Sequence, residues 1–105
     1  MSKKRAARKR VPIHPGEHLA DILSEAGLSA NALALKIRVP ANRITAIVSG
    51  RRGISADTAL RLAKFFGTSI EFWMNLQSRY DVDMAMDASA DQIDRDVIPM
   101  AHMSH

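Results

Sequence analysis

Residues 29–50 read SANALALKIRVPANRITAIVSG, and their spacing decides the fold. Ser29 is a strong N-cap, because its hydroxyl can accept from an amide that the first helical turn leaves unpaired. Leu33, Ala34 and Ile37 follow on one helical face. Arg38-Val39-Pro40 then makes a turn, with Val39 as the inward residue. Pro40 opens a second short helix that buries Ile44, Ile47 and Val48 and ends at Gly50. Ala34 is small, so the second helix can cross close to the first. The same spacing leaves Ala41, Asn42, Arg43, Thr45 and Ala46 on the outer side of the second helix.

Two short helices joined by a tight turn, the second with a small and polar outer face, form the layout of a helix-turn-helix. In that motif the second helix enters the major groove of DNA. The outward residue types suit the task. Arg43 can bridge guanine O6 and N7, Asn42 can pair with adenine N6 and N7, and Thr45, Ala41 and Ala46 can meet a thymine methyl. These five residues are the candidate base contacts. Arg51 and Arg52 follow directly on the helix, where a phosphate passes in this docking geometry. One helix reads only a few base pairs, so a two-fold dimer is expected, with two such helices about 34 Å apart on palindromic double-stranded DNA.

Outward from this stretch the pattern stays helical. Pro15 suits a first helical position, Leu19, Ile22, Leu23 and Ala26 follow at helical spacing, and Gly27 ends that helix. Ser55 caps a helix holding Ala59, Leu60, Ala63 and Phe66, ended by Gly67. Thr68 and Glu71 then read as a T-x-x-E capping box for a fifth helix with Ile70, Phe72, Trp73, Leu76 and Tyr80. No alternating strand pattern occurs before residue 90. The expected fold is all-α, a five-helix helix-turn-helix domain over residues 13–80. A basic disordered arm at 1–12 precedes it and an acidic tail at 81–105 follows. Trp73, Phe72 and Tyr80 share a helical face, which marks core or dimer contact rather than a base-stacking platform. Trp73, Leu76 and Tyr80 are the candidate dimer surface.

The 105 residues suit one domain, and Lys and Arg exceed Asp and Glu by 15 to 11. The charge is uneven. Lys3, Lys4, Arg5, Arg8, Lys9 and Arg10 crowd the first ten residues, whereas residues 81–105 carry six Asp against Arg95 alone. The head is expected to track phosphates. The tail, with Ile93, Val97 and Ile98, is expected to pack on a second subunit in preference to binding a basic partner. With no cysteine, a disulfide scaffold, a thiol nucleophile and a zinc knuckle are excluded. No apolar run is long enough to span a membrane, and no apolar segment follows the basic head as an export signal requires. A cytoplasmic, DNA-associated protein is expected, with no cofactor.

His14-Pro15-Gly16-Glu17-His18 matches the H-x-x-E-H pattern of one class of zinc enzyme. That chemistry needs both histidines on one continuous helix, and Pro15 biases His14 away from helical angles. No metal site and no enzymatic activity are expected. His102 and His105 read as incidental, and Asp57 with Arg61 as an i, i+4 surface pair without function.

Three stretches together resemble the phage-repressor type of transcriptional regulators and, within them, the HigA antitoxins. They are His14-Pro15-Gly16-Glu17; Val39 to Ile44 running to Gly50-Arg51-Arg52-Gly53-Ile54; and Ala56-Asp57-Thr58-Ala59-Leu60-Arg61-Leu62-Ala63 followed by Gly67-Thr68-Ser69 and Glu71 to Gln77. The resemblance covers about residues 13–82. It implies a bacterial antitoxin that represses its own operon and neutralises a HigB-like RNA-cleaving toxin. Two positions depart from the pattern. Arg38 stands where the turn usually has Gly. Ala30 stands where phage repressors often have a phosphate-binding Gln, which leaves Ser29, Asn31 or Lys36 to anchor that helix. A plain repressor without a toxin partner and a non-DNA-binding adaptor are the alternative readings.

Overall fold

The computed structural model describes residues 11–101. The cluster of six cations at 3–10 lies outside them, as do His102 and His105. Among the described residues five helices follow one another: α1 Pro15–Ala26, α2 Ala30–Ile37, α3 Ala41–Val48, α4 Ala56–Phe66 and α5 Ile70–Asp96. No strand occurs among the described residues. Helices α2 and α3 pack on each other, α1 lies across α3, and α4 and α5 close the other side.

The core is drawn largely from the apolar residues that the helical spacing singles out, but Leu62 and Ile54 join it, and Leu60, expected among them, faces solvent because α4 turns Leu62 inward instead. Leu19, Leu33, Ile44, Ile47, Leu62 and Trp73 lose all solvent contact, with Leu23, Ala34, Ile37, Ile54, Ala59 and Ala63 around them. Burying a Leu or Ile side chain contributes about 1.5–3 kcal/mol, so this cluster drives the fold. The caps follow the sequence at most ends. The Ser29 and Ser55 hydroxyls accept from the Ala32 and Thr58 amides. Gly27 and Gly67 end α1 and α4 at φ 69° and 74°, in the left-handed region open to a residue without a Cβ.

The start of α1 explains the His14-Pro15-Gly16 sequence. His14 has ψ 139°, outside the helix, and its Nδ1 accepts from the Gly16 amide at 2.9 Å. It is an N-cap, and it shares no helix with His18. Pro15 is buried at the first helical position. A Cβ built on Gly16 would collide with the Ile47 carbonyl oxygen, so only glycine lets α1 approach the end of α3 this closely. The His14 ring also meets Tyr80 edge-on at 4.9 Å.

Two sequence expectations fail in α5. The N-cap is Ser69, whose hydroxyl accepts from the Phe72 amide, and not Thr68. Thr68 instead accepts the Trp73 indole N–H at 2.7 Å, which satisfies the one polar atom of a fully buried ring. The helix also does not give way to a tail after Tyr80; it continues to Asp96, 27 residues in all. No Gly or Pro interrupts residues 81–96, and Pro99 is the first breaker. The second half of α5 projects from the domain and gives the molecule extents of 52 × 25 × 20 Å.

Candidate nucleic-acid interface

The outer face of α3 is set by what its inner face must bury. Ile44 and Ile47 point into the core with no exposure. Ala41, Asn42 and Thr45 are therefore exposed, and Ala46 is half-buried beside them. The Thr45 hydroxyl donates weakly to the Asn42 carbonyl at 3.4 Å. Pro40 precedes the helix and offers no side-chain cap, although its carbonyl accepts from the Arg43 amide at 3.0 Å. Asn31, Lys36, Arg51 and Arg52 are exposed on the flanking segments. Arg51 donates through Nε to the Ser49 hydroxyl at 3.0 Å, which holds its stem against the end of α3. Ser29 is exposed, but its oxygen is engaged as the α2 cap.

The turn before α3 carries the one left-handed residue other than glycine among the described residues. Arg38 sits at φ 64°, ψ 48° and closes α2 through its amide on the Ala34 carbonyl. An L-residue there costs about 1–2 kcal/mol. Arg61 on α4 braces it: Nη1 donates to the Ile37 carbonyl at 2.9 Å and reaches the Arg38 carbonyl at 3.4 Å. Orphan carbonyls at the C-terminal end of α2 thus receive a charged donor.

Arg43 departs from the simple picture of a free base reader. Its Nη1 donates to Asp57 Oδ2 on α4 at 2.9 Å, and Arg61 Nε donates to the same oxygen at the same distance. Only 24% of the Arg43 side chain is exposed. Its Nε is buried with no hydrogen-bond partner among the described residues. Hydrogen bonds from Arg61 and then Arg43 hold the Asp57 carboxyl below the usual carboxylate range. The Asp57–Arg61 pair, expected to be an isolated surface pair, is half of a three-residue cluster joining α3, α4 and the end of α2. Its sequence signal was only the i, i+4 spacing, and the partner fourteen residues upstream carried none.

The segment after α3 is pinned as well. Gly50 turns at φ 81°, and the Ile54 amide donates to Gln77 Oε1 on α5 at 2.6 Å. A Cβ on Gly53 would press on that Gln77 side chain. Arg51 and Arg52 thus sit on a loop fixed at both ends.

A helix-turn-helix family model matches residues 19–73, which contain α2, the turn and α3 within their core. The chain belongs to the helix-turn-helix family. It is a family of DNA-binding regulators and antitoxins rather than enzymes. Virulence-associated protein I of Dichelobacter nodosus is 49% identical over 82 residues, covering 76% of each chain. Among solved structures, an addiction module antidote protein of the HigA family from Coxiella burnetii superposes with a TM-score of 0.84 and 54% identity. The match covers 87% of this chain and 100% of that one. The Pseudomonas aeruginosa antitoxin HigA with the higBA promoter gives a TM-score of 0.83 and 47% identity, over 86% of this chain and 99% of that one. The HigA resemblance of the sequence is thus matched by HigA antitoxins as structural neighbours.

In this helix-turn-helix domain the expected dimer residues are placed differently from one another. Trp73 is fully buried between Phe66 and Phe72, with ring centroids 5.9 and 4.9 Å away. It has no surface to offer a second subunit and belongs to the core. Leu76 and Tyr80 are half-buried, and Leu76 lines a shallow groove with Val11, Ile13, Phe72 and Arg79. The exposed apolar surface of α5 lies further on. Val82, Met86 and Ile93 share one face at i, i+4 and i+11, and each is more than two-fifths exposed. The sequence expectation of packing on a second subunit named Ile93, Val97 and Ile98; Ile93 lies on this face, whereas Val97 and Ile98 fall beyond the end of α5 at Asp96 and are exposed. No group of His, Asp or Glu able to hold a metal occurs among the described residues. No described helix is long and apolar enough to cross a membrane.

Proposed function

We propose that this chain is an antitoxin that binds its own upstream DNA as a dimer, represses its operon and neutralises a HigB-like toxin. The observation that carries the reading is the outer face of α3. Ala41, Asn42 and Thr45 stand exposed on a helix whose opposite side is locked into the core, and Arg51 and Arg52 flank its end. A neighbour of 47% identity has this fold and is an antitoxin with promoter DNA. In this docking α3 lies in the major groove, with Asn42 on a base edge and Thr45, Ala41 and Ala46 on thymine methyls. Arg51, Arg52, Lys36, Asn31 and the Ser29 hydroxyl proton meet phosphates on either side. Repression is by occlusion of the promoter.

Dimerisation follows from the reach of one helix and from the exposed face of α5. Val82, Met86 and Ile93 form a seam that a second copy would cover, whereas Leu76 and Tyr80 lie on the side of α5 that faces the domain. The toxin partner rests on the antitoxin relatives alone. A gel shift with DNA from upstream of the gene tests the DNA reading, with random DNA as competitor. Preferential retention of the upstream fragment is expected, and equal retention overturns the reading. Co-expression with a small basic protein, where one is encoded beside the gene, tests the second half. Rescue of growth and a co-purifying complex are expected; independent behaviour of the two proteins leaves a plain repressor.

A further inference from the structure

Arg43 and Arg61 share one oxygen of one carboxylate. The cluster therefore holds two cations against one anion and keeps a surplus positive charge. If Arg43 leaves, Asp57 still has Arg61, so no lone carboxylate is left behind. Arg43 also has something to gain on leaving, since its Nε is buried without a partner where it now sits. Its resting position is thus held by one charged hydrogen bond and opposed by one unmade hydrogen bond. A guanidinium that swings outward from the first turn of α3 reaches the surface bearing Asn42 and Thr45.

We propose that Asp57, which is outside the recognition helix, sets the sequence specificity of this protein. It holds Arg43 against α4 in the free chain and releases it only to DNA that offers a better acceptor. The inference rests on the DNA-binding reading above. An unrestrained arginine beside a duplex strengthens binding to every sequence, because phosphates are everywhere and each neutralised one releases counterions. An arginine held by a carboxylate does not. A guanine edge placed in register offers the guanidinium fork two acceptors, O6 and N7, in place of one shared oxygen. Asp57 thereby works against the wrong sequences rather than for the right one. Arg61 does not take part in the exchange, because its Nη1 stays on the Ile37 carbonyl.

The test is Asp57→Asn, which keeps the shape and an acceptor for Arg61 but removes the charge. Affinity for random DNA is expected to rise about tenfold and for upstream DNA less than about threefold, so discrimination falls. The salt slope on random DNA steepens by about one unit. Adding Arg43→Ala abolishes both gains. Lost upstream affinity with unchanged random affinity overturns the proposal and makes Asp57 a support. An equal gain on both DNAs that survives Arg43→Ala overturns it as well, in favour of general charge. If the wild type shows no preference for upstream DNA, the DNA reading falls and takes the inference with it; if it does and Asp57→Asn keeps the same ratio, only the inference falls. A measurement on the wild type covers poor folding of the variant. The Arg43 Nε–H resonance, assigned with Arg43→Lys, should move with upstream DNA and stay with random DNA; identical shifts on both overturn the proposal.

Discussion

Helix α3 and the outer half of α5 both present side chains to solvent, but they are held in opposite ways. In α3, eight residues are fixed by Ile44 and Ile47 in the core, by the Gly16 approach to the Ile47 carbonyl and by the Arg43–Asp57 bond. Among the described residues of α5 beyond Tyr80 only Asp83 is buried, and Val82, Met86 and Ile93 stand open. A helix that reads a groove must have its backbone in position before the DNA arrives, and unexposed anchors do that. A helix that waits for a second protein surface can leave its apolar face open until it arrives. The contrast divides the molecule into a rigid reader and a projecting arm.

The largest effect expected from breaking this contrast is at Gly16. Gly16→Ala puts a methyl group into the Ile47 carbonyl and should cost about 3 kcal/mol or more, since backbone on both sides must move. Urea or thermal denaturation measures it, and a loss below 1 kcal/mol on the same scale would mean that α3 is not seated as described. Next is the arm. Val82→Asp with Ile93→Asp should raise the dimer dissociation constant by about a hundredfold, because two apolar residues per copy lose their burial. The monomer fold should be unchanged, as both residues are exposed. Sedimentation velocity across a concentration series reads this, and an unaltered dimer would move the interface elsewhere, to the groove beside Leu76.

Smaller effects sharpen the reader itself. Asn42→Ala should cost about 1–3 kcal/mol on upstream DNA and little on random DNA. Equal loss on both would reassign Asn42 to a phosphate. Smallest are Arg51→Ala and Arg52→Ala. Each should weaken both DNAs alike and flatten the dependence of log K on log salt by about one unit, with stability shifted by less than about 0.5 kcal/mol. Titrations at four salt concentrations check this, and a loss confined to upstream DNA would place α3 wrongly in the groove.

Much of the reader was legible in the sequence because its signals are local. Ser29, Gly27 and Gly67 mark helix ends through the conformations their side chains allow, and Leu33, Ala34, Ile37, Ile44 and Ile47 mark an inner face by spacing alone. The strain at Arg38 was also legible, from a turn that ordinarily takes glycine. The brace from Arg61 was not, because it crosses from α4 to the end of α2. The same holds for Arg43, whose place on the outer face followed from helical geometry while its pairing with Asp57 depended on how α4 docks. Adjacent hydroxyls at Thr68 and Ser69 left the α5 cap open to a one-residue error. The pattern around Thr68 and Glu71 favoured the wrong one, and only the buried indole of Trp73 explains what Thr68 does. The course of α5 past Tyr80 was readable in the absence of Gly and Pro up to Pro99, a signal masked by charge.

The projecting half of α5 changes how this molecule moves through water. Its radius of gyration is 17.6 Å, against roughly 13 Å for a compact chain of this length. Drag grows with such elongation, so a single copy should leave a sizing column ahead of round standards of equal mass. Apparent mass from elution volume would then overcount the copies. The frictional ratio from a sedimenting boundary, or scattered-light mass measured across the eluting peak, separates one long molecule from two.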